Sequence, residues 1–191
     1  MAVAAVAERI YTIAEYLEME KTSEIRHEFV YGKLIPMSGE SKIANDIALN
    51  CAFFLRQLLS PKGFRVFVQS IKVQVDEAGL YRYPDVVVVP QSDNADPYIV
   101  TQPVLLIEVV SAHSAARDRV NKLREYARIP SLQQYLIVDQ YETLVESYHR
   151  TGDHWAYVIA EQPDAEIVLR DFSASLLLTT IYEGVAFEKK D

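Results

Sequence analysis

Residues 83–111 contain the two most apolar runs of the sequence, YPDVVVVP at Tyr83–Pro90 and VLLIEVV at Val104–Val110. Continuous apolar runs of this length are typical of strands that are covered on both faces of a sheet. A polar segment, Gln91–Gln102, separates the two runs and is expected to be a loop. The stretch therefore predicts two central strands of a sheet that is packed on both sides.

The segments on either side complete the predicted core. Apolar residues at helical spacing predict helices over Ser41–Leu59 and Ser114–Arg128. Strict alternation predicts a strand over Phe67–Asp76, with Gln69 on its buried face, and the run QYLIVD predicts a further strand over Gln134–Asp139. The order helix-strand-strand-strand-helix-strand predicts an α/β domain in which helices pack on a mixed sheet.

Shorter elements are expected at both ends of this core. A capping box of Thr12 and Glu15 predicts a helix that begins near residue 12. No linker composition interrupts the sequence, so residues 1–191 are expected to form a single domain. The remaining predictions are a hairpin over His27–Met37 turning at Tyr31–Gly32, a hairpin over Thr143–Ala160 turning at Thr151–Gly152, a strand at Glu166–Leu169 and a helix near Leu176–Glu183.

Composition excludes several classes of protein. The 191 residues carry a net charge of −8, so indiscriminate binding to nucleic acid or anionic membranes is not expected. Cys51 is the only cysteine, which rules out an intrachain disulfide framework and a cysteine-based zinc site. No glycine pattern of a nucleotide-binding loop is present. The first twenty residues resemble neither a signal peptide nor a membrane span, so a cytoplasmic location is expected.

Two carboxylates lie in the apolar runs. Asp85 opens the run YPDVVVV, and Glu108 lies in the middle of VLLIEVV. Buried carboxylates are costly unless a cation or hydrogen bonds compensate their charge. Oxygen ligands on rigid strands suit a hard divalent cation such as Mg²⁺. The alternative is that each carboxylate bonds to backbone or pairs with an arginine.

The second predicted helix complements these acids. Asp118, Lys122 and Tyr126 are four residues apart, so they line one helix face. A lysine near two carboxylates and a metal positions a water or stabilises charge on a phosphate. A surface ion pair between Asp118 and Lys122 is the simpler explanation of this spacing.

The same helix is basic on an otherwise acidic chain. Between Arg117 and Arg128 there are five basic residues and two acidic ones. Such a helix suits the phosphate backbone of DNA, and a solvated helix face explains the charges almost as well. The candidates for substrate contact on this helix are Arg117, Arg119 and Tyr126.

Taken together, these motifs resemble the Uma2 family (DUF820) of restriction-endonuclease-like proteins, which belongs to the PD-(D/E)xK nuclease superfamily and is frequent in cyanobacteria. The resemblance covers most of the chain. It includes the segments RHEFVYGKL, PDVVVV, PVLLIEVVS, DRVNKLREY and QYLIVD, and the order of predicted elements matches the restriction-endonuclease-like core.

The resemblance implies metal-dependent hydrolysis of DNA phosphodiester bonds. Asp85 and Glu108 would bind Mg²⁺ or Mn²⁺, and Lys122 would act as the catalytic lysine. Glu28 matches an acidic position of the family and would complete the site, while Gln69 would orient a ligand. The family also implies a homodimer, which suits cleavage of both strands of a duplex.

The chain departs from the superfamily pattern at two places. The lysine that normally follows the glutamate by two residues is replaced by Val110, so Lys122 would have to reach the site from the helix. The segment SGESKIANDI lacks a histidine that is common there and has Asn45 nearby. Two further functions therefore stay open: a weak or inactive nuclease fold that binds nucleic acid or protein, and a sugar- or nucleotide-processing hydrolase, for which no motif is present.

Overall fold

A computed structural model of the chain describes residues 9–93, 95–110 and 115–187, with side chains for all of these except residues 115–119. None of the helices in this part of the chain is long and apolar enough to cross a membrane. The helices are α1 (Ile13–Glu20), α2 (Lys42–Leu59), α3 (Ala115–Tyr126) and α4 (Leu178–Ile181), and short 3-10 helices occupy Ser60–Lys62 and Arg170–Phe172.

The described strands form three sheets. The six-stranded sheet contains β3 (Phe64–Val68), β6 (Val86–Pro90), β8 (Leu105–Val110), β9 (Gln134–Asp139), β10 (Val145–Thr151) and β11 (His154–Ala160). The five-stranded sheet contains β1 (His27–Val30), β2 (Lys33–Pro36), β4 (Lys72–Asp76), β5 (Leu80–Arg82) and β7 (Ile99–Val100). A separate hairpin consists of β12 (Glu166–Leu169) and β13 (Ala174–Leu177).

The six-stranded sheet is mixed and has the order β11-β10-β9-β8-β6-β3. β8 and β9 are parallel and are connected through α3, and the other neighbouring strands are antiparallel. Along the chain, α2, β3, β6, β8, α3 and β9 reproduce the predicted order of elements. The prediction of an α/β domain with a mixed sheet is therefore confirmed.

Both faces of this sheet are covered by apolar side chains. Val86 and Val88 point to the face that α2 covers, together with Ile107 of β8. Val87 and Val89 point to the opposite face, where they pack with Tyr126 of α3 and with residues of the five-stranded sheet. Successive side chains of a strand alternate between the faces, so a strand covered on both sides must be apolar at nearly every position.

The prediction of one strand over Phe67–Asp76 is wrong, because the extended conformation is interrupted at Gln69 and Ser70. Both residues have positive φ angles, 49° and 53°, and they separate β3 from β4. The backbone N–H of Gln69 donates to the carbonyl oxygen of Asp85 at 2.8 Å. Gln69 is half-buried outside the strands rather than on a core-facing strand position. The alternating pattern continues on both sides of the break, so it concealed the change of sheet.

The elements predicted before and after the central core are mostly present. The Thr12–Glu15 capping box, the β1–β2 hairpin and the β10–β11 hairpin are all present. Three strands were missed: β5 lies between the strand expected over Phe67–Asp76 and the run that begins at Tyr83, β7 lies within the expected loop, and β13 occupies the beginning of the expected C-terminal helix. That helix is accordingly shorter than expected and consists of α4 alone.

Candidate active site

Asp85 and Glu108 lie side by side on neighbouring strands. Val86 of β6 lies opposite Ile107 of β8 in the antiparallel register, so Asp85 is brought next to Glu108 and Val109. The Oδ2 atom of Asp85 accepts a hydrogen bond of 2.6 Å from the backbone N–H of Val109. The two acids of the sequence motif therefore meet at one end of a largely buried strand pair.

Glu108 is almost fully buried, with 5% of its surface exposed. Its Oε2 atom lies 2.9 Å from Nζ of Lys122, and its Oε1 atom accepts a 2.7 Å hydrogen bond from the hydroxyl group of Tyr126. Burial raises the pKa of Glu108 above its ordinary value, although Lys122 and Tyr126 act in the opposite direction. The helical face predicted from the four-residue spacing thus brings Lys122 to the glutamate.

Asp85 has no comparable cationic partner among its described contacts. Burial, and then the charge of Glu108, raise the pKa of Asp85 to about 8, although the Val109 N–H opposes this. Two adjacent carboxylates in a dry environment repel each other unless a proton or a cation lies between them. The pair is therefore suited to binding a cation.

Glu28 reaches the same place from β1. Its carboxylate is bonded to the guanidinium of Arg82, and its Oε1 atom lies 3.9 Å from Nζ of Lys122. Arg82 also forms a bidentate salt bridge with Glu125 of α3. The Nε–Oε2 distance is 3.0 Å and the Nη2–Oε1 distance is 2.9 Å. This network ties α3 to β1 and β5 and fixes the position from which Lys122 projects.

Glu40, which precedes the N-cap residue of α2, was not among the predicted site residues. The Nε2 atom of Gln69 donates a 2.6 Å hydrogen bond to Oε2 of Glu40. Glu40 also contributes to the raised pKa of Asp85, after burial and the charge of Glu108. Glu40 lies in a loop without apolar periodicity or a recognisable motif, so no sequence signal marked it.

Two adjoining cavities lead to these residues. The larger one, about 630 Å³, is lined by Asp85, Glu40 and Gln69, and also by Asn45. The smaller one, about 480 Å³, is lined by Glu28, Lys122 and again Glu40. Residues 37–41 border both cavities, so Asp85, Glu28 and Lys122 are accessible from one region of the surface.

The other predicted site residues are placed differently. Tyr126 is fully buried, so its hydroxyl group holds Glu108 in place and does not face a cavity. The side chains of Arg117, Asp118 and Arg119 lie outside the described residues. The substrate contacts expected from the basic helix thus stay predictions.

The site offers only a small number of oxygen ligands to a divalent cation. Within the part of the chain that the structure describes, no three His, Cys, Asp or Glu side chains converge on one point. Mg²⁺ is usually held by only one or two carboxylates and keeps several of its waters. The two adjacent carboxylates of Asp85 and Glu108 therefore fit such an ion.

Two proteins of one organism are similar to this chain in sequence over most of its length. "Uncharacterized protein sll1609" of Synechocystis sp. (strain PCC 6803) is 34% identical over 163 residues, which is 83% of this chain and 92% of the relative. "Uncharacterized protein slr1290" of the same organism is 29% identical over 174 residues, 91% of this chain and 92% of the relative.

A crystal structure of "a putative nuclease belonging to DUF820" from Anabaena variabilis ATCC 29413 has the same fold. It superimposes with a TM-score of 0.76 at 18% identity, and the alignment covers 92% of this chain and 99% of that one. The sequence profile of the Uma2 family, described as "putative restriction endonuclease", matches residues 13–180. This chain therefore belongs to the Uma2 family.

Proposed function

We propose that the chain is a metal-dependent DNA endonuclease, in which Asp85 and Glu108 bind Mg²⁺ or Mn²⁺ and Lys122 is the catalytic lysine. The observation that carries the proposal is the 2.9 Å contact between Lys122 and Glu108. This contact brings a lysine of α3 to the buried acid, which supports Lys122 as a substitute for the strand lysine whose usual position is occupied by Val110. The family's description as "putative restriction endonuclease" supports a nuclease function.

The chain's own residues have distinct tasks in this proposal. When bound, the cation would polarise the phosphate and lower the pKa of a water molecule. Lys122 supplies a compact positive charge for that water or for the developing negative charge on the phosphate oxygens. Glu28 and Arg82 orient Lys122, and Tyr126 holds the Glu108 carboxylate by a hydrogen bond.

DNA is the substrate in this proposal, and a local basic surface must offset the net charge of −8. Arg117 and Arg119 on α3 are proposed to contact the phosphate backbone. We also propose that the protein acts as a homodimer in the cytoplasm, since two copies related by a two-fold axis suit a duplex.

Cleavage of supercoiled plasmid and single-stranded DNA tests the proposal. The parent protein is assayed with Mg²⁺, Mn²⁺ or EDTA, beside Glu108→Gln and Lys122→Met. We expect metal-dependent cutting by the parent and a loss of about 100-fold or more in both variants, since each removes a group that acts on the reacting phosphate. Loss of cutting in these two variants excludes a contaminating nuclease. Arg56→Met, a substitution of an exposed residue on α2, controls for the effect of substitution itself and is expected to cut like the parent.

The opposite result would have a clear meaning. If the folded parent cuts neither substrate in any metal, the endonuclease proposal is wrong. Electrophoretic mobility shifts with the same DNAs then test the alternative, a nuclease fold that has been kept for binding. Cutting that persists in both variants would remove Glu108 and Lys122 from the proposed site.

A further inference from the structure

We propose that the larger cavity holds the backbone of the DNA strand beside the bond that is cut, and that Arg26 and Lys42 bind its phosphates. This inference rests on the proposed function, because that function supplies the DNA. The cavity has a volume of about 630 Å³ and is lined by Asp85 as well as by the two cations. It would give the strand a second region of contact with the protein, in addition to the basic residues proposed on α3.

The first argument is the position of the cavity next to the proposed site. Asp85 lies in its wall, and the adjoining smaller cavity is lined by Lys122. A polymeric substrate continues on both sides of the bond that is cut, so a strand held between Asp85 and Lys122 must also occupy the space beside them. The larger cavity is open to such a strand, and its volume is within the range of ~300–1,000 Å³ that is usual for ligand sites.

The second argument is that two exposed cations line this cavity without a carboxylate partner. Arg26 lies between α1 and β1, and Lys42 is the first residue of α2. Neither forms a salt bridge with a residue that the structure describes. By contrast, Arg82 and Lys122 are bound to buried acids. The charges of Arg26 and Lys42 are therefore available to an anion from outside the chain, and such side chains are the usual partners of nucleic-acid phosphates.

The third argument is that Arg26 is held at the cavity by a contact that leaves its charge unpaired. Its Nη1 atom donates a 2.9 Å hydrogen bond to the backbone carbonyl oxygen of Glu20. The buried carboxylate of Glu20 instead accepts from the hydroxyl group of Tyr83 at 2.7 Å and from the backbone N–H of His27 at 3.2 Å. Tyr83 lies two residues before Asp85 and lines the same cavity. The guanidinium thus projects from an anchored segment, and its remaining N–H groups can donate to phosphate oxygens.

The fourth argument is the charge balance of the cavity. Glu40 and Asp46 are exposed acids of the same lining, and Arg26 and Lys42 offset their charges. Loss of either cation would leave an excess of acids, which repels phosphate. Substitution of a cation is therefore expected to weaken DNA binding, whereas Asp46→Asn is expected to strengthen it.

Fluorescence anisotropy of labelled single-stranded and duplex DNA tests the assignment without relying on cleavage. The measurements are made at several KCl concentrations in EDTA, which removes the cation needed for cutting. We expect Arg26→Gln and Lys42→Gln each to weaken DNA binding about 5-fold or more. Each is also expected to reduce the slope of log K against log salt by about 0.9 for a duplex or about 0.7 for a single strand. Asp46→Asn is expected to bind about 2-fold or more tightly than the parent, and thermal unfolding verifies that each variant is folded.

Arg56→Gln is the matched control, since Arg56 is an exposed cation of α2 that lines neither cavity. It lies about 21 Å from Lys42 along the helix, which exceeds the ~10 Å range of charge effects at 0.1 M salt, so we expect parent-like binding.

The outcomes separate this inference from the nuclease proposal. Equal weakening by Arg56→Gln and the two cavity variants would show a general effect of net charge and overturn the assignment. Parent-like binding by Arg26→Gln and Lys42→Gln, with a parent that cuts DNA, would overturn it while leaving the nuclease proposal intact. Weaker binding by both variants, with a folded parent that never cuts, would support the assignment and contradict the nuclease proposal. A folded parent that neither binds nor cuts DNA would overturn both.

Discussion

The carboxyl group of Asp85 makes the stability of the metal-free protein depend on pH. Burial raises its pKa to about 8, so the folded state binds this proton more tightly than the unfolded state does. The contribution is therefore favourable at low pH and is lost as pH rises from about 4 through 8. Between pH 5 and pH 8 in EDTA, we expect the free energy of unfolding to fall by about 2–4 kcal/mol more in the parent than in Asp85→Asn.

Urea denaturation at several pH values measures this difference. Mg²⁺ is expected to reduce the loss at pH 8, because an ion that binds only the folded state stabilises it. Asp46→Asn removes an exposed acid and is expected to keep the parent's pH profile. Identical pH profiles for the parent and Asp85→Asn would contradict the prediction.

The residues of the site differ in how far the sequence could reveal them. Asp85 and Glu108 stand out because a charge inside an apolar run is conspicuous. The four-residue spacing placed Lys122 on one helix face with Tyr126, but only the resemblance to the family implied that this lysine belongs to the site. Gln69 was assigned to the wrong environment, because the alternating pattern does not show the positive φ angles that end β3. Glu40 and Arg82 became evident only from their contacts across the fold, with Gln69 and Glu28 respectively.

Helix α3 carries Lys122. The position of this helix is fixed by Arg82, a buried arginine of the five-stranded sheet. Arg82 of β5 bonds Glu28 and Glu125 together and is nearly inaccessible to solvent. Arg82→Met deprives both carboxylates of the guanidinium that binds them, so we expect the free energy of unfolding to drop by about 3 kcal/mol. DNA cleavage is expected to fall as well, since Lys122 loses the contacts that hold its helix.

The matched control is Arg128→Met, the same substitution just beyond α3. The side chain of Arg128 is 59% exposed, and it contacts Tyr31 and Asp76 at the surface. Its removal is expected to change the free energy of unfolding by no more than about 0.5 kcal/mol. Urea denaturation of the two variants compares the buried network with the surface contact, and equal effects would show that Arg82 does not anchor α3.

The elements that could be predicted are those with a strong periodic signal. The helix α2 and the strands β6, β8 and β9 have long apolar patterns, and their observed positions are close to the expected ones. β7 is only two residues long, and β13 forms because it pairs with β12. Such short strands depend on a neighbouring strand for their hydrogen bonds, so the local sequence does not reveal them.

At the scale of the whole molecule, the edge of the six-stranded sheet supports the proposed homodimer. β11 is the edge strand, and within the described part of the chain it pairs only with β10. Tyr157, Val158 and Ile159 are consecutive and exposed, so both faces of the strand are open to solvent. Long, apolar edge strands without charges or proline tend to pair with another strand.

A second copy of the same strand is a self-complementary partner for this edge. Antiparallel pairing of β11 with its copy across a two-fold axis would satisfy the outer backbone groups and bury the three apolar side chains. We therefore expect the parent to be a dimer in light scattering after size exclusion, and Val158→Lys to be a folded monomer. Val168→Lys places the same charge on an exposed valine of β12 and is expected to stay dimeric. A monomeric parent, or a Val158→Lys variant that remains a dimer, would show that β11 is not the interface.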